Sequence, residues 1–394
     1  MERKLGFIFD HNKCIICNAC VDACNKAYGM NWRKLPIFDI NGNKTALSIS
    51  CNHCRDPKCM DVCPTGALRK LDNGIVYVEK ERCIGCNYCT WACPYEALTM
   101  GNDSMTKCHL CMDKLGKGMP YCVEACPTGA LAFGWLENSD AKVDYLPPSD
   151  ITKPDLKIIQ PEGVKVKANV IKEKEEKNYL GLLIFTIFSE ISLTYSLLRL
   201  PYFLPVSIVL LLSSLILSIT HAKFFSRALA MIYGIKNSWL SREVIFGLIS
   251  VLFFILTFIY PQFFYPAVLF LCLSVLSSIM IYMLKSRPSW YNPDTPMSFI
   301  GTCFTVVMPL AFFFTSNIAY IIIGIIFGIL EIFTAYRKRD LKERKFNIIP
   351  IVLLGISTIF LPVSIISSAS ALVIEIIYRR KFFKKVIYYG IPNI

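Results

Sequence analysis

Cys83-Ile84-Gly85-Cys86-Asn87-Tyr88-Cys89-Thr90-Trp91-Ala92-Cys93-Pro94 spaces four cysteines as C-x2-C-x2-C-x3-C and closes on proline. Three thiolates at such short spacing wrap one cubane of iron and sulfide, and the fourth, three residues on, is turned toward a neighbouring cluster. The proline after it, with its fixed φ, leads the chain away from the metal. Cys14, Cys17, Cys20 and Cys24 repeat the spacing. Cys51, Cys54, Cys59 and Cys63 lengthen one gap to four residues, and Cys108, Cys111, Cys122 and Cys126 lengthen it to ten. Pro64 and Pro127 follow the last cysteine of these two quartets, whereas Asn25 follows Cys24. Of 18 cysteines only Cys272 and Cys303 fall outside the pattern, and these read as small buried apolar residues. Sixteen ligands supply four 4Fe–4S clusters. A disulfide framework belongs to a secreted context, and structural zinc has no use for the fourth cysteine and its proline.

Residues 1–134 therefore read as an α+β domain of the bacterial ferredoxin kind, each pair of quartets making a unit with two clusters. Gly6-Phe-Ile-Phe-Asp10 alternates like a strand leading into the first quartet, and Met1–Asp10 does not read as a targeting segment. Gly74–Val78, after Asp72-Asn73, reads as half of a hairpin, and Pro64-Thr65-Gly66 and Pro127-Thr128-Gly129 read as turns. The apolar content is small, so the clusters must hold the fold together. His11, His53 and His109 stand beside ligands, where surface exposure or hydrogen bonding around a cluster is the ordinary role. Trp91 and Tyr95 read as packing around a cluster.

Hydrophobic residues make up 54% of the 394, too many for an ordinary soluble chain. They are segregated: the quartets end at Cys126, and the long apolar runs begin near Tyr179. Residues 135–178 carry Pro147, Pro148, Pro154 and Pro161, then the run Lys172-Glu-Lys-Glu-Glu-Lys177, and read as an extended strap whose Pro-rich half lies over the first domain. Residues 179–394 predict an all-α membrane domain of about eight transmembrane helices, near 179–199, 201–221, 243–260, 264–284, 298–316, 318–336, 347–361 and 363–378. The last two are short, and one long helix with a re-entrant piece is the other reading. The formal charge of +13 collects in loops between these runs, so membrane topology accounts for it and no nucleic-acid partner is expected. Lys223, Arg227, Lys236, Arg242, Lys285, Arg287, residues 337–345 and residues 379–385 put this charge on the side of the first domain, with only Arg199 opposite. The first domain is accordingly expected on the cytoplasmic side of the cell membrane.

The chain has four histidines, and only His221 follows residue 109. A transmembrane b-type haem takes axial histidines, usually paired, so no haem is expected. Electrons then reach the clusters from a lipid-soluble quinol. Glu190, Glu331 and Glu375 lie in or near apolar runs, where a carboxyl is a functional candidate; Glu375, close to a basic helix end, could instead snorkel.

Cys51-Asn-His-Cys54, the run Cys83–Tyr95, Met105-Thr-Lys-Cys108 and Cys122-Val-Glu-Ala-Cys-Pro-Thr128 resemble the four-cluster electron-transfer subunit of the dimethyl sulfoxide reductase family. The resemblance covers about residues 5–160, Ile151-Thr-Lys-Pro154 included. It implies one cluster on Cys14, Cys17, Cys20 and Cys126, and a second on Cys108, Cys111, Cys122 and Cys24. A third falls on Cys51, Cys54, Cys59 and Cys93, and a fourth on Cys83, Cys86, Cys89 and Cys63. Ile219-Thr-His221 through Ser238-Trp-Leu-Ser-Arg-Glu243, and Arg287-Pro-Ser-Trp290 with Thr295-Pro296, resemble that family's membrane anchor subunit over most of 180–300. This implies a quinol site near His221, Arg242 and Glu243, where a neutral His accepts a proton and Glu passes it on. Arg242 more often pairs with an acid or a lipid headgroup. The implied function is a fused electron-transfer and anchor subunit of a quinone-linked oxidoreductase. It would use menaquinone or another quinone of the membrane pool, and would handle quinol itself while a separate molybdopterin-containing subunit transforms the substrate. Sulfur, polysulfide and tetrathionate reductases and sulfite dehydrogenases share this wiring. A membrane redox sensor is the alternative from another class; no kinase, nucleotide or DNA-binding motif supports it.

Overall fold

The structure is a computed structural model and describes residues 3–40, 43–137, 141–160, 169–176, 179–219, 222–337 and 344–393. The N-terminal part is built on a three-stranded sheet. Strand β1 (Lys4–Asp10) lies at its centre, because Leu5, Phe7 and Phe9 alternate into the core. Three hairpins follow: β2 (Ile37–Ile40) with β3 (Asn43–Ala46), β4 (Leu68–Lys70) with β5 (Val76–Val78), and β6 (Thr99–Met100) with β7 (Met105–Thr106). Short helices α1 (Ala19–Tyr28), α2 (Lys58–Asp61), α3 (Tyr88–Ala92) and α4 (Tyr121–Glu124) each carry or adjoin quartet cysteines. Strand β8 (Leu131–Leu136) pairs antiparallel with β1, and β9 (Leu156–Ile159) pairs parallel with its other edge.

These last strands correct the expected boundary. Residue 134 falls inside β8, and Leu156–Ile159 belongs to the first domain's sheet rather than to a loose strap. The reason is non-local: β1 needs a partner on each edge, and Leu156 and Ile158 are buried against it. The charged end of the strap also has a partner, since β10 (Ile171–Glu175) pairs antiparallel with β11 (Lys385–Tyr389) at the end of the chain.

The C-terminal region is helical: α5 (Leu180–Leu197), α6 (Phe203–Ile219), α7 (Trp239–Thr257), α8 (Phe264–Tyr282), α9 (Asp294–Thr315), α10 (Ile318–Arg337), α11 (Ile348–Ile356) and α12 (Val363–Lys384). Five of them, α5, α7, α8, α9 and α10, are long and apolar enough to cross a membrane, and they fit a membrane-spanning region. Helices α6 and α11 are shorter, and α12 ends in Arg379, Arg380, Lys381 and Lys384. Consecutive helices pack as antiparallel neighbours, α5 on α6, α7 on α8 and α9 on α10. Small residues set the closeness: Ser192 and Ser207 each donate to the other's backbone carbonyl across α5 and α6, at 3.2 and 3.4 Å.

The two parts meet at residues 222–238, between α6 and α7. Phe224 N–H donates to the Ile84 carbonyl at 3.0 Å, Ser238 Oγ to the Val62 carbonyl at 2.7 Å, and Arg227 to the carbonyls of Lys80, Cys83 and Asp103 at 2.8–3.0 Å. A side chain at Gly85, whose φ is +70°, would strike Lys223 and Phe224, and one at Gly234 would strike the Pro64 carbonyl. Glycine at both positions lets the third-quartet loop and the turn after Cys63 sit directly on the helical region.

Candidate metal centres and membrane cavity

The four C-x2-C loops share one backbone feature. The residue before the second cysteine has positive φ in each: Ile16 (59°), His53 (42°), Gly85 (70°) and Leu110 (55°). A β-branched residue in that region is a genuine outlier, so the repetition points to a turn the thiols require. Asn18 and Asn87, at matching places in the first and third quartets, are also left-handed and start helices α1 and α3.

The turns gather the thiols into four sets, and all 18 cysteines are free. Cys14, Cys17, Cys20 and Cys126 line one cavity, and Cys24, Cys108, Cys111 and Cys122 a second. Cys63, Cys83, Cys86 and Cys89 line a third. Cys59 has Cys51, Cys54 and Cys93 as charge neighbours, which makes the remaining set. The sets lie in a row, with Cys20 a charge neighbour of Cys122, Cys51 of Cys108, and Cys59 of Cys89. Among the described residues no three His, Cys, Asp or Glu side chains converge on a single metal ion. Thiols around a cavity suit a cluster of several metals better than one zinc.

Buried cations provide an independent check of the fit. Arg33 is 1% exposed and donates to the Ser48 and Ser50 hydroxyls at 3.0 Å, and the charge neighbours raising its proton affinity are Cys122, Cys108, Cys20 and Cys24. Lys107 is 3% exposed, donates to the Val76 and Cys108 carbonyls, and lies near Cys59, Cys93 and Cys108. Neither has a carboxylate partner among the described residues. A guanidinium or ammonium buried among thiols needs compensating negative charge, and iron-bound thiolates supply it. Nothing in the sequence around Arg33 signals this; Lys107 announces itself only by preceding Cys108.

His11 and His53 are buried, and His109 is half-buried. His11 shares hydrogen bonds with Thr45 at 3.0 Å and Tyr145 at 2.6 Å, and burial pushes its pKa down to about 4. His53 is 1% exposed, accepts from Val76 N–H at 3.0 Å, and is held far below the usual histidine range by burial. His109 Nδ1 accepts from Met112 N–H at 3.1 Å, and burial lowers its pKa as well. Trp91 packs against Trp290 of the helical region, with centroids 5.1 Å apart, and Tyr95 meets Thr152.

At the end of the row a cavity of about 630 Å³ lies between the two parts. Cys86, Tyr88 and Trp91 form one wall; Leu240, Glu243, Val244 and Leu248 of α7 and Tyr282 of α8 form another. Its size and apolar lining suit a small organic molecule. Glu243 is 3% exposed, and its Oε1 has no hydrogen-bond partner among the described residues. Arg242 does not face this space. It donates to the carbonyls of Ile235 and Lys236 and lies over Trp239 at 4.3 Å, and among the described residues it pairs with no acid. One residue along a helix is a turn of about 100°. His221 lies outside the described residues; its neighbour Ala222 is on the cavity wall.

The fold and the thiol sets define a ferredoxin-type iron–sulfur electron-transfer protein with an added helical region. Residues 43–136 match the 4Fe-4S dicluster domain family. The chain is 40% identical over 186 residues to the B component of the anaerobic dimethyl sulfoxide reductase of Haemophilus influenzae, covering 40% of this chain and 89% of that protein. It is 38% identical over 188 residues to the Escherichia coli protein of the same name, covering 41% and 91%. It is also 35% identical over 173 residues to the B component of the sulfite dehydrogenase of Allochromatium vinosum, covering 36% and 72%. The chain belongs to the family of the iron–sulfur subunits of anaerobic dimethyl sulfoxide reductase, extended by a C-terminal part.

Proposed function

We propose that this chain passes electrons between a membrane quinol and a separate molybdopterin-containing subunit, through four 4Fe–4S clusters, and that its helical region, crossing the membrane eight times, is the anchor. The observation that carries the reading is the row of four thiol sets ending, at Cys86, on the wall of the cavity that holds Glu243. The sets described above would hold the clusters, each supplying one-electron transfer at low cost in rearrangement.

The chain's own residues do the rest. Leu240, Val244 and Leu248 hold an apolar ring system out of water. Oxidation of one quinol releases two electrons toward Cys86 and two protons. Glu243 Oε1, buried and without a partner among the described residues, accepts one of these, and His221, the acceptor implied by the family resemblance, takes the other. Arg242 fixes the carbonyl end of the 222–238 loop and so positions rather than reacts. Basic residues on the shared end of the bundle support a cytoplasmic position for the cluster domain. Arg287, Arg344 and Arg379 do not count toward that charge, because they are buried.

The sulfite dehydrogenase relative supports a second reading, in which electrons run from the catalytic subunit into the quinone pool. Purification of the complex tests the whole. About 16 iron atoms per chain and a co-purifying molybdenum protein are expected. Glu243→Gln is expected to slow cluster reduction by added quinol roughly 100-fold with iron content unchanged. An unaltered rate overturns the cavity assignment, and the absence of molybdenum overturns the partner.

A further inference from the structure

Deeper in the bundle, four carboxylic acids meet two guanidiniums among the described residues. Glu190 of α5 accepts two hydrogen bonds from Arg379 Nη2, at 3.0 and 2.9 Å. Arg344, in the turn before α11, donates to Glu331 of α10 at 3.1 Å and also to Glu375 of α12. Arg379 Nε lies 3.9 Å from Glu375. Asp294, at the start of α9, accepts from Thr334 at 3.0 Å and from the Tyr378 hydroxyl. All six ionisable groups are at most 5% exposed. Glu375 therefore does not snorkel: it is held inside by both arginines.

Among the described residues, four carboxylates against two guanidiniums would leave two uncompensated negative charges in an apolar bundle. Isolated buried charge is costly enough that a carboxyl takes up a proton instead. A second observation points the same way. Among the described residues, Glu331 Oε1 and Asn347 Oδ1 are buried without a hydrogen-bond partner, although Asn347 Nδ2 donates to Glu331 Oε2 at 2.6 Å. Both residues, with Glu375 and Ser367, line a small cavity between α10, α11 and α12. Buried acceptors left unmet in such a place are ordinarily completed by a proton or a proton-bearing molecule. Cys303 of α9 and Tyr282 of α8 are the other titratable groups near Glu190. Tyr282 lines the large cavity together with Glu243, and its ring lies 5.5 Å from that of Phe299, over which Arg379 sits at 3.7 Å.

We propose that Glu190, Glu331, Glu375 and Asp294, balanced by Arg344 and Arg379, form a proton relay that holds two protons inside the bundle and exchanges them with the large cavity through Tyr282. A proton entering at one carboxyl is matched by one leaving another, so the network stays neutral and no bond other than O–H is made or broken. The stored protons follow from the charge count alone; only the relay's service to quinol rests on the function proposed above.

Infrared spectroscopy of the full-length chain in phospholipid vesicles, without quinone, tests this. Glu243→Gln removes the one other buried acid of the cavity wall. That variant is expected to keep a protonated-carboxyl band at neutral pH that shifts in heavy water. Glu331→Gln and Glu375→Gln are expected to lose part of the band. Absence of the band in Glu243→Gln, judged folded by the thermal unfolding of its helical region, overturns the proposal even if the other variants fail to assemble. Tyr282→Phe is expected to keep the band and to slow its shift in heavy water roughly ten-fold. An unchanged rate overturns the connection to the cavity. A wild type that shows the band but no quinol turnover counts against the quinol reading and leaves the proton store standing.

Discussion

The two halves of the molecule bury charge of opposite sign. The cluster domain buries Arg33 and Lys107 among thiols with no carboxylate partner among the described residues. The helical region buries four carboxyls around two arginines. Neither arrangement is stable as bare side chains, because uncompensated charge in a low-dielectric interior is too costly. The sign of the excess therefore identifies what completes each half: anionic iron–sulfur clusters in the first, protons in the second. A one-sided surplus of buried charge is thus a record of a bound species.

The largest break in this symmetry comes from removing iron. The cluster domain has a modest apolar core divided among short strands and one-turn helices, so metal binding is much of its folding free energy. Chelation under reducing conditions is expected to abolish protease protection across residues 3–160 while residues 179–337 stay protected. Equal loss in both halves would show that the bundle depends on its partner for structure.

Next in size is Arg379→Ala. It strips Glu190 of its two hydrogen bonds and leaves the acids further out of balance. Breaking a buried pair from one side costs about 3–5 kcal/mol. The thermal unfolding of the helical region is expected to fall accordingly, with the cluster absorption unaffected at lower temperature. Arg242→Ala, which only loses carbonyl contacts at the rim, is the comparison.

A smaller effect separates the halves by pH. His11 is neutral in the fold, its pKa down at about 4 against 6.5 for the free side chain, through burial. Between these values the unfolded chain binds the extra proton, so stability rises with pH. The contribution is whole above about 6.5 and lost as pH falls toward about 4, up to about 3 kcal/mol. His11→Gln is expected to flatten the cluster domain's acid unfolding over this window and to leave the bundle's unchanged. An identical acid profile in both proteins would count against a neutral His11.

Local pattern carried much of this into the sequence. Cysteine spacing announced the four quartets because each loop is a local turn, and apolar runs marked the helices because 1.5 Å of rise per residue ties length to membrane thickness. What stayed hidden was long-range. No local signal says that Leu156–Ile159 completes the sheet beside β1, or that β10 finds β11 more than 200 residues on. Arg344 and Arg379 looked like loop cations because their sequence neighbours are basic; only the fold turns them inward onto Glu331, Glu375 and Glu190. Arg242 and Glu243 looked like one site and face different ways.

The least disruptive change is also the one that bears on how the halves communicate. Arg227 donates from one nitrogen, Nη1, to the carbonyls of Lys80, Cys83 and Asp103, and its charge lies over Phe224 at 5.0 Å. Cys83 belongs to the thiol set nearest the large cavity, so Arg227 ties the cavity's loop to that set. The side chain is partly exposed, which screens its charge and limits Arg227→Ala to about 1 kcal/mol. Yet the loop it anchors forms the cavity wall at Phe225, Ala228 and Leu229. A loosened wall is expected to raise the apparent KM for quinol more than it lowers kcat, with cluster content unaltered. Lysine at this position keeps the charge and can reach one carbonyl but not three, so Arg227→Lys is expected to fall between alanine and wild type. If alanine and wild type share both constants, the contact is passive packing, and the other contacts between the halves, Phe224 with Ile84 and Ser238 with Val62 among them, hold the wall.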